Sequence, residues 1–114
     1  MVFAEIELAR VEKAVGGMCR RRTRPEIRDQ LRLEYSVKRH DIEIYEVRPH
    51  WRNPGEEMQT PVAKIKYVRS AEEWRLYWMR QDLKWHFYEP FGKSSNLEEL
   101  VEVVDRDELC CFFG

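Results

Sequence analysis

The chain is poor in the residue patterns that carry recognisable chemistry. It has no Cys-x-x-Cys or His-x-x-x-His pair, and His40, His50 and His86 fall on three separate segments. Cys110 and Cys111 are adjacent, a poor spacing for closing a tetrahedral metal site, and Cys19 stands far from both. An odd cysteine count with no apolar leader fits reduced thiols in the cytoplasm better than a secreted disulfide framework. Gly16-Gly17 lies inside a helical pattern and lacks the lysine spacing of a phosphate-cradling loop. No apolar run approaches the roughly eighteen residues of a membrane span, so insertion in a bilayer is not expected. A net charge of −1 and a pI near 6.3 lack the basic excess of a general nucleic-acid binder. No cofactor, metal or catalytic group is assigned on this basis.

What is present is a pattern that folds. The 114 residues are 43% apolar and 12% aromatic, with four tryptophans. A chain of that size buries roughly two-thirds of its unfolded surface without disulfides or metal, as one domain over residues 1–114. From Val2 to Arg22, the residues Ala4, Leu8, Val11, Val15 and Met18 alternate spacings of four and three, which predicts an amphipathic helix. Gly16-Gly17 weakens it and predicts a kink or close packing there. Pro25 to Gln30 reads as a separate short turn.

The period then drops to two. Leu31, Leu33, Tyr35 and Val37 predict the inward face of one strand, and Ile42 and Ile44 that of a second after a turn at Arg39-His40. Pro49 to Pro61 reads as a loop. Ala63, Ile65 and Tyr67 face inward from a third strand, Trp74, Leu76 and Trp78 from a fourth, and Trp85 with Phe87 from a fifth. The short connections predict hairpins pairing in order. Asn96 is placed to cap a last helix with the stripe Leu97, Leu100, Val101 and Val104. The expected fold is α+β: a five-stranded antiparallel meander sheet with an N-terminal and a C-terminal helix packed on one face. The apolar ending from Cys110 to Gly114 must dock on its own core or on a partner, and homodimerisation is one such outcome.

Three stretches carry a family resemblance. They are Glu43-Ile44-Tyr45-Glu46-Val47-Arg48-Pro49 with Trp51, then Pro61-Val62-Ala63-Lys64, then Trp74-Arg75-Leu76-Tyr77-Trp78-Met79-Arg80 running into Asp82-Leu83-Lys84-Trp85-His86 and Tyr88-Glu89-Pro90. With the terminal Cys-Phe-Phe-Gly, they resemble the small bacterial proteins grouped as domain of unknown function 3024. The resemblance covers nearly the whole chain. It implies a bacterial, cytoplasmic, whole-chain domain, and it implies no activity, substrate or catalytic residue.

Two surfaces stand out as candidates. Alternation places Tyr45, Lys64, Lys66, Arg75, Tyr77, His86 and Tyr88 on the outward sheet face, with Glu43 and Met79 beside them. Tyrosine and arginine together suit a protein interface, and aromatics among cations suit single-stranded nucleic acid. The purely structural alternative is a cross-strand aromatic ladder. The second surface is the basic patch Arg20, Arg21, Arg22, Arg24 and Arg28, which either meets phosphates or pairs with the acids of the C-terminal helix. The reading that follows is a non-enzymatic protein-interaction domain with an unidentified protein partner or a second copy. The rival is a nucleic-acid binder or weak, nuclease-like hydrolase built on Asp41, Glu43, Lys64 and His86.

Overall fold

The computed structural model describes residues 3–113. The N-terminal helix runs as α1 (Glu5–Val11), a π-turn (Glu12–Gly16) and α2 (Gly17–Arg22). Glu5 and Glu7 sit at the positive end of α1, and the Ala4 N–H donates to Glu7 Oε1 at 2.9 Å. The double glycine does produce an irregularity. Gly16 is buried, and a Cβ there would lie 2.8 Å from the Glu12 carboxyl group. That carboxylate accepts hydrogen bonds from Arg20 and from the Tyr35 hydroxyl. A π-turn holds one more residue than a regular turn, so it shifts the phase of the apolar stripe. Val11, Val15, Met18 and Cys19 are buried, whereas Ala4 and Leu8, expected on the same stripe, are exposed, Leu8 by 41%. Phe3 takes their place and stacks on Trp74 with ring centroids 5.5 Å apart.

Six strands follow: β1 (Arg32–Lys38), β2 (Asp41–Pro49), β3 (Glu57–Val68), β4 (Glu73–Met79), β5 (Trp85–Phe87) and β6 (Lys93–Ser94). They form one antiparallel sheet in the order β1-β2-β3-β4-β5, with β6 also on β4. β5 and β6 succeed one another along the same side of β4, since Phe87 pairs with Tyr77 and Lys93 with Arg75. The chain ends in α3 (Leu97–Arg106), whose first turn is capped by the Asn96 side chain accepting the Glu98 N–H at 3.2 Å. Both helical segments pack on one face of the sheet around Val15, Met18, Ile42, Ile44, Ile65, Leu76, Leu97, Leu100 and Val104, all fully buried. Each such side chain contributes roughly 1.5–3 kcal/mol through burial.

Two further sequence expectations change. The Pro49–Pro61 loop is shorter than expected: β2 continues to Pro49, β3 begins at Glu57, and only residues 50–56 form the tip. Pro61 is therefore a strand residue. It is tolerated because the outer half of β3 pairs with β2 alone, and because the register shifts by a bulge at Ile44/Tyr45 beside it.

The fifth strand is turned over. Leu83 adopts φ 62°, and the Arg80 N–H bonds to the Lys84 carbonyl at 3.2 Å, closing a three-residue loop with a left-handed third residue. That loop sets Met79 opposite Trp85, so Trp85 and Phe87 share a face with Tyr77. His86 and Tyr88 move to the helix side, against the expectation that they faced outward. Tyr88 is 4% exposed, its ring 5.0 Å from that of Phe112. A slip of one residue inverts every side chain of a strand.

The apolar tail docks on its own core. Asp107 accepts the N–H groups of Phe112 and Phe113 at 2.9 and 2.7 Å, and Phe112 is buried. The three thiols consequently differ in reactivity. Cys19 is buried and its thiol is pushed up to about 12 by that burial, while Cys110 is exposed. In the native protein at pH 7.5, a disulfide reagent such as DTNB is expected to modify Cys110 within minutes and to leave Cys19 unmodified until urea unfolds the chain. Equal rates for the two would contradict the packing of α2.

Candidate functional site: the open sheet face

Residues directly opposite one another on antiparallel strands present their side chains to the same face. On the side away from the helices, this rule lays the sheet out in rows. The first row is Lys38, Asp41, Lys66, Arg75 and Lys93. The second is Ser36, Glu43, Lys64, Tyr77 and Phe87. Beyond it lie Glu34, Tyr45 and Pro61 on one side, and Met79 and Trp85 on the other. The face therefore grades along the strand direction from cationic to aromatic.

β3 and β4 stop pairing after Lys64 and Tyr77. Over the unpaired stretch of β3 and the neighbouring β1 and β2 lies a groove of about 380 Å³ lined by Ser36, Glu43, Ile44, Tyr45, Gln59, Pro61 and Trp85. On the same face, Arg32 donates to Glu57 at 2.7 and 3.1 Å and to Glu34 at 2.9 Å. Val47, the cross-strand partner of Arg32, is only 1% exposed although it lies on this face. Burial raises the Tyr45 hydroxyl above the ordinary phenol range, with the Glu34 charge adding to the effect, so it remains a neutral hydrogen-bonding group. The Tyr77 and Phe87 rings meet edge-to-face, 6.0 Å apart at 77°.

Tyr45, Lys64, Lys66, Arg75 and Tyr77 thus lie together on this open face, and His86 and Tyr88 do not. Lys38 also belongs to the face, on the outward side of β1 where its alternation with Val37 places it, and Lys93, Trp85 and Phe87 join it. Lys93 lies on a two-residue strand too short to show alternation, and the two aromatic residues depend on the Leu83 turn. His86 instead bonds through Nε2 to Asp82 at 2.8 Å, which lowers the Asp82 carboxyl below its ordinary range.

The four residues of the hydrolytic reading do not assemble. Lys64 Nζ lies 3.6 Å from Asp41 and opposite Glu43, but His86 is on the other side of the sheet. Among the described residues, no three His, Cys, Asp or Glu side chains converge.

The arginine patch is largely consumed within the chain. Arg20 pairs with Glu12; Arg21 and Arg22 reach Asp105 at 3.6 and 2.9 Å, and Arg22 also lies over the Phe113 ring at 3.7 Å. Arg24 and Arg28 are exposed and have no ion pair among the described residues. The α3 partner of these arginines is Asp105 rather than the glutamates of its first turns, and Glu98 pairs instead with Arg10 at 3.0 Å. Among the described residues, no helix is long and apolar enough to cross a membrane.

No curated protein and no solved structure matches this chain. One family does: the domain of unknown function DUF3024 matches residues 3–114. With that match spanning essentially the whole length, the chain belongs to the DUF3024 family.

Proposed function

We propose that the chain is a non-enzymatic protein-interaction domain of the bacterial cytoplasm, and that it docks a protein partner on the open sheet face. One observation carries this reading. Four half-exposed aromatic rings, Tyr45, Tyr77, Trp85 and Phe87, stand on rigid strands opposite the helices, and Tyr45 and Trp85 line a groove with polar walls. Tyrosine, tryptophan and arginine supply most of the binding energy at protein interfaces, because they bury a large area with few rotatable bonds. Packing within the domain accounts for the helix-side aromatics, whereas these four cover no described helix.

The test compares Tyr45→Ala and Trp85→Ala with the parent chain in urea unfolding and in affinity capture from a bacterial lysate. The expected outcome is loss of the captured partner, with stability changed by less than about 1.5 kcal/mol, since half-exposed positions do not leave closed cavities. Retention of the partner by both variants would reject the face as the docking surface.

A further inference from the structure

The first row of the open face breaks a rule of sheet stability. Lys66 stands directly opposite Arg75, and Arg75 directly opposite Lys93, so three cations sit side by side on adjacent strands, with Lys38 at the end of the same row. Like charges placed opposite one another destabilise a sheet. The row's one acid, Asp41, is drawn to Lys64 at 3.6 Å, and Arg75 is held by Glu73 at 2.8 Å. Among the described residues, Lys38, Lys66 and Lys93 have no ion pair and are exposed. Local rules are broken in this way chiefly where a ligand supplies the compensation.

Resting on the reading of the face as a docking surface, we infer that the Lys38–Lys66–Arg75–Lys93 row binds the carboxylates of an acidic segment of a protein partner, one apolar side chain of which enters the Trp85 groove. Arg75 and Met79, the cross-strand partner of Trp85, are four residues apart on β4, so the cationic row and the Trp85 end of the groove lie roughly 13 Å apart along the strand. The segment recognised carries its acids about four extended residues from its apolar anchor. Nucleic acid fits the same face less well. Glu43 and Glu73 share it, and the edge-to-face arrangement of Tyr77 and Phe87 offers no run of flat rings for successive bases. The net charge of −1 gives no general attraction for a polyphosphate.

The test uses fluorescence anisotropy with three labelled probes. They are a twelve-residue peptide with three glutamates four residues before a phenylalanine, the same peptide with lysines for the glutamates, and a twelve-nucleotide oligo(dT). At low salt the acidic peptide is expected to bind at least tenfold more tightly than either of the others, and to weaken as salt rises. Lys66→Glu and Lys93→Glu are expected to reduce its affinity at least tenfold, and Lys66→Ala and Lys93→Ala by less. Lys93→Glu is also expected to raise the melting temperature of the free protein at low salt, because it turns the like-charge pair with Arg75 into an opposite-charge pair. A purely structural lysine would not give that opposition of binding and stability.

The inference is overturned if the lysine peptide binds as well as the acidic one, if oligo(dT) binds more tightly, or if the reversals leave affinity unchanged. Should the lysine variants keep a captured partner that Trp85→Ala loses, the interaction face stands and its acidic ligand is rejected. Should Tyr45→Ala and Trp85→Ala both keep it too, both readings fall.

Discussion

Gly92→Ala is expected to destabilise the protein by about 3 kcal/mol, the upper end for overpacking a closed site. Gly92 is buried where the chain steps from β5 to β6, and its carbonyl accepts the Leu76 N–H at 2.7 Å. A Cβ on it would lie 2.4 Å from the Tyr88 carbonyl oxygen and 2.5 Å from the Phe87 ring. The ring can rotate away, but the carbonyl is main chain on the segment that carries β5, so the strand itself must shift. Urea unfolding measures the loss, and fluorescence of Trp85 and its neighbours reports whether the open face is disturbed with it. A loss under about 1 kcal/mol would mean that the segment from Tyr88 to Gly92 moves freely, contrary to its close approach to β4.

Trp74→Ala is expected to cost about 3–5 kcal/mol, the range for deleting a large aromatic from a core. Trp74 is 4% exposed on the helix side of β4, with the Tyr67 ring 4.7 Å and the Phe3 ring 5.5 Å from its own. Removing it leaves a cavity and releases Phe3, which ties the start of the N-terminal helix to the sheet. Against a total stability of roughly 5–15 kcal/mol for a domain, the loss takes a large fraction. Trp51→Ala provides the contrast. Trp51 is 73% exposed at the β2–β3 tip, where it stacks on His50 at 5.7 Å, and its removal is expected to change stability by about 0.5 kcal/mol or less. Similar losses for the two tryptophans in chemical denaturation would contradict the division between core and surface.

The sheet was legible because period-two alternation is a local signal with a global meaning. Leu33, Ile42, Ile44, Ile65, Trp74 and Leu76 are all buried on the side the pattern assigned to them. Where the reading failed, the deciding event was a backbone geometry that composition does not reveal. Leu83 in a left-handed conformation is uncommon for a bulky residue, and that single residue decides whether Trp85 or His86 faces the helices. The π-turn at Glu12–Gly16 acted likewise on the N-terminal helix, since Ala4 and Leu8 fit the stripe only if the turns are uniform. Pro61 looked like loop chemistry because its acceptability rests on β3 being unpaired on one side there, a property of the whole sheet.

The candidate site was legible to the same extent. Tyr45, Lys64, Lys66, Arg75 and Tyr77 came from alternation along single strands. The row that unites Lys66 and Arg75 with Lys38 and Lys93 exists only through pairing across five strands. No linear pattern in the chain encodes it.

The outer half of β3 has one further consequence. From Glu57 to Pro61 its second side offers unpaired main-chain groups, the kind of template on which fibrils grow by adding strands from other molecules. Pro61 has no N–H to give an incoming strand, and Glu57 sets a negative charge at the opposite end, already committed to Arg32. A residue that reads in sequence as a turn former thus occupies a position where a gatekeeper against strand addition is favoured.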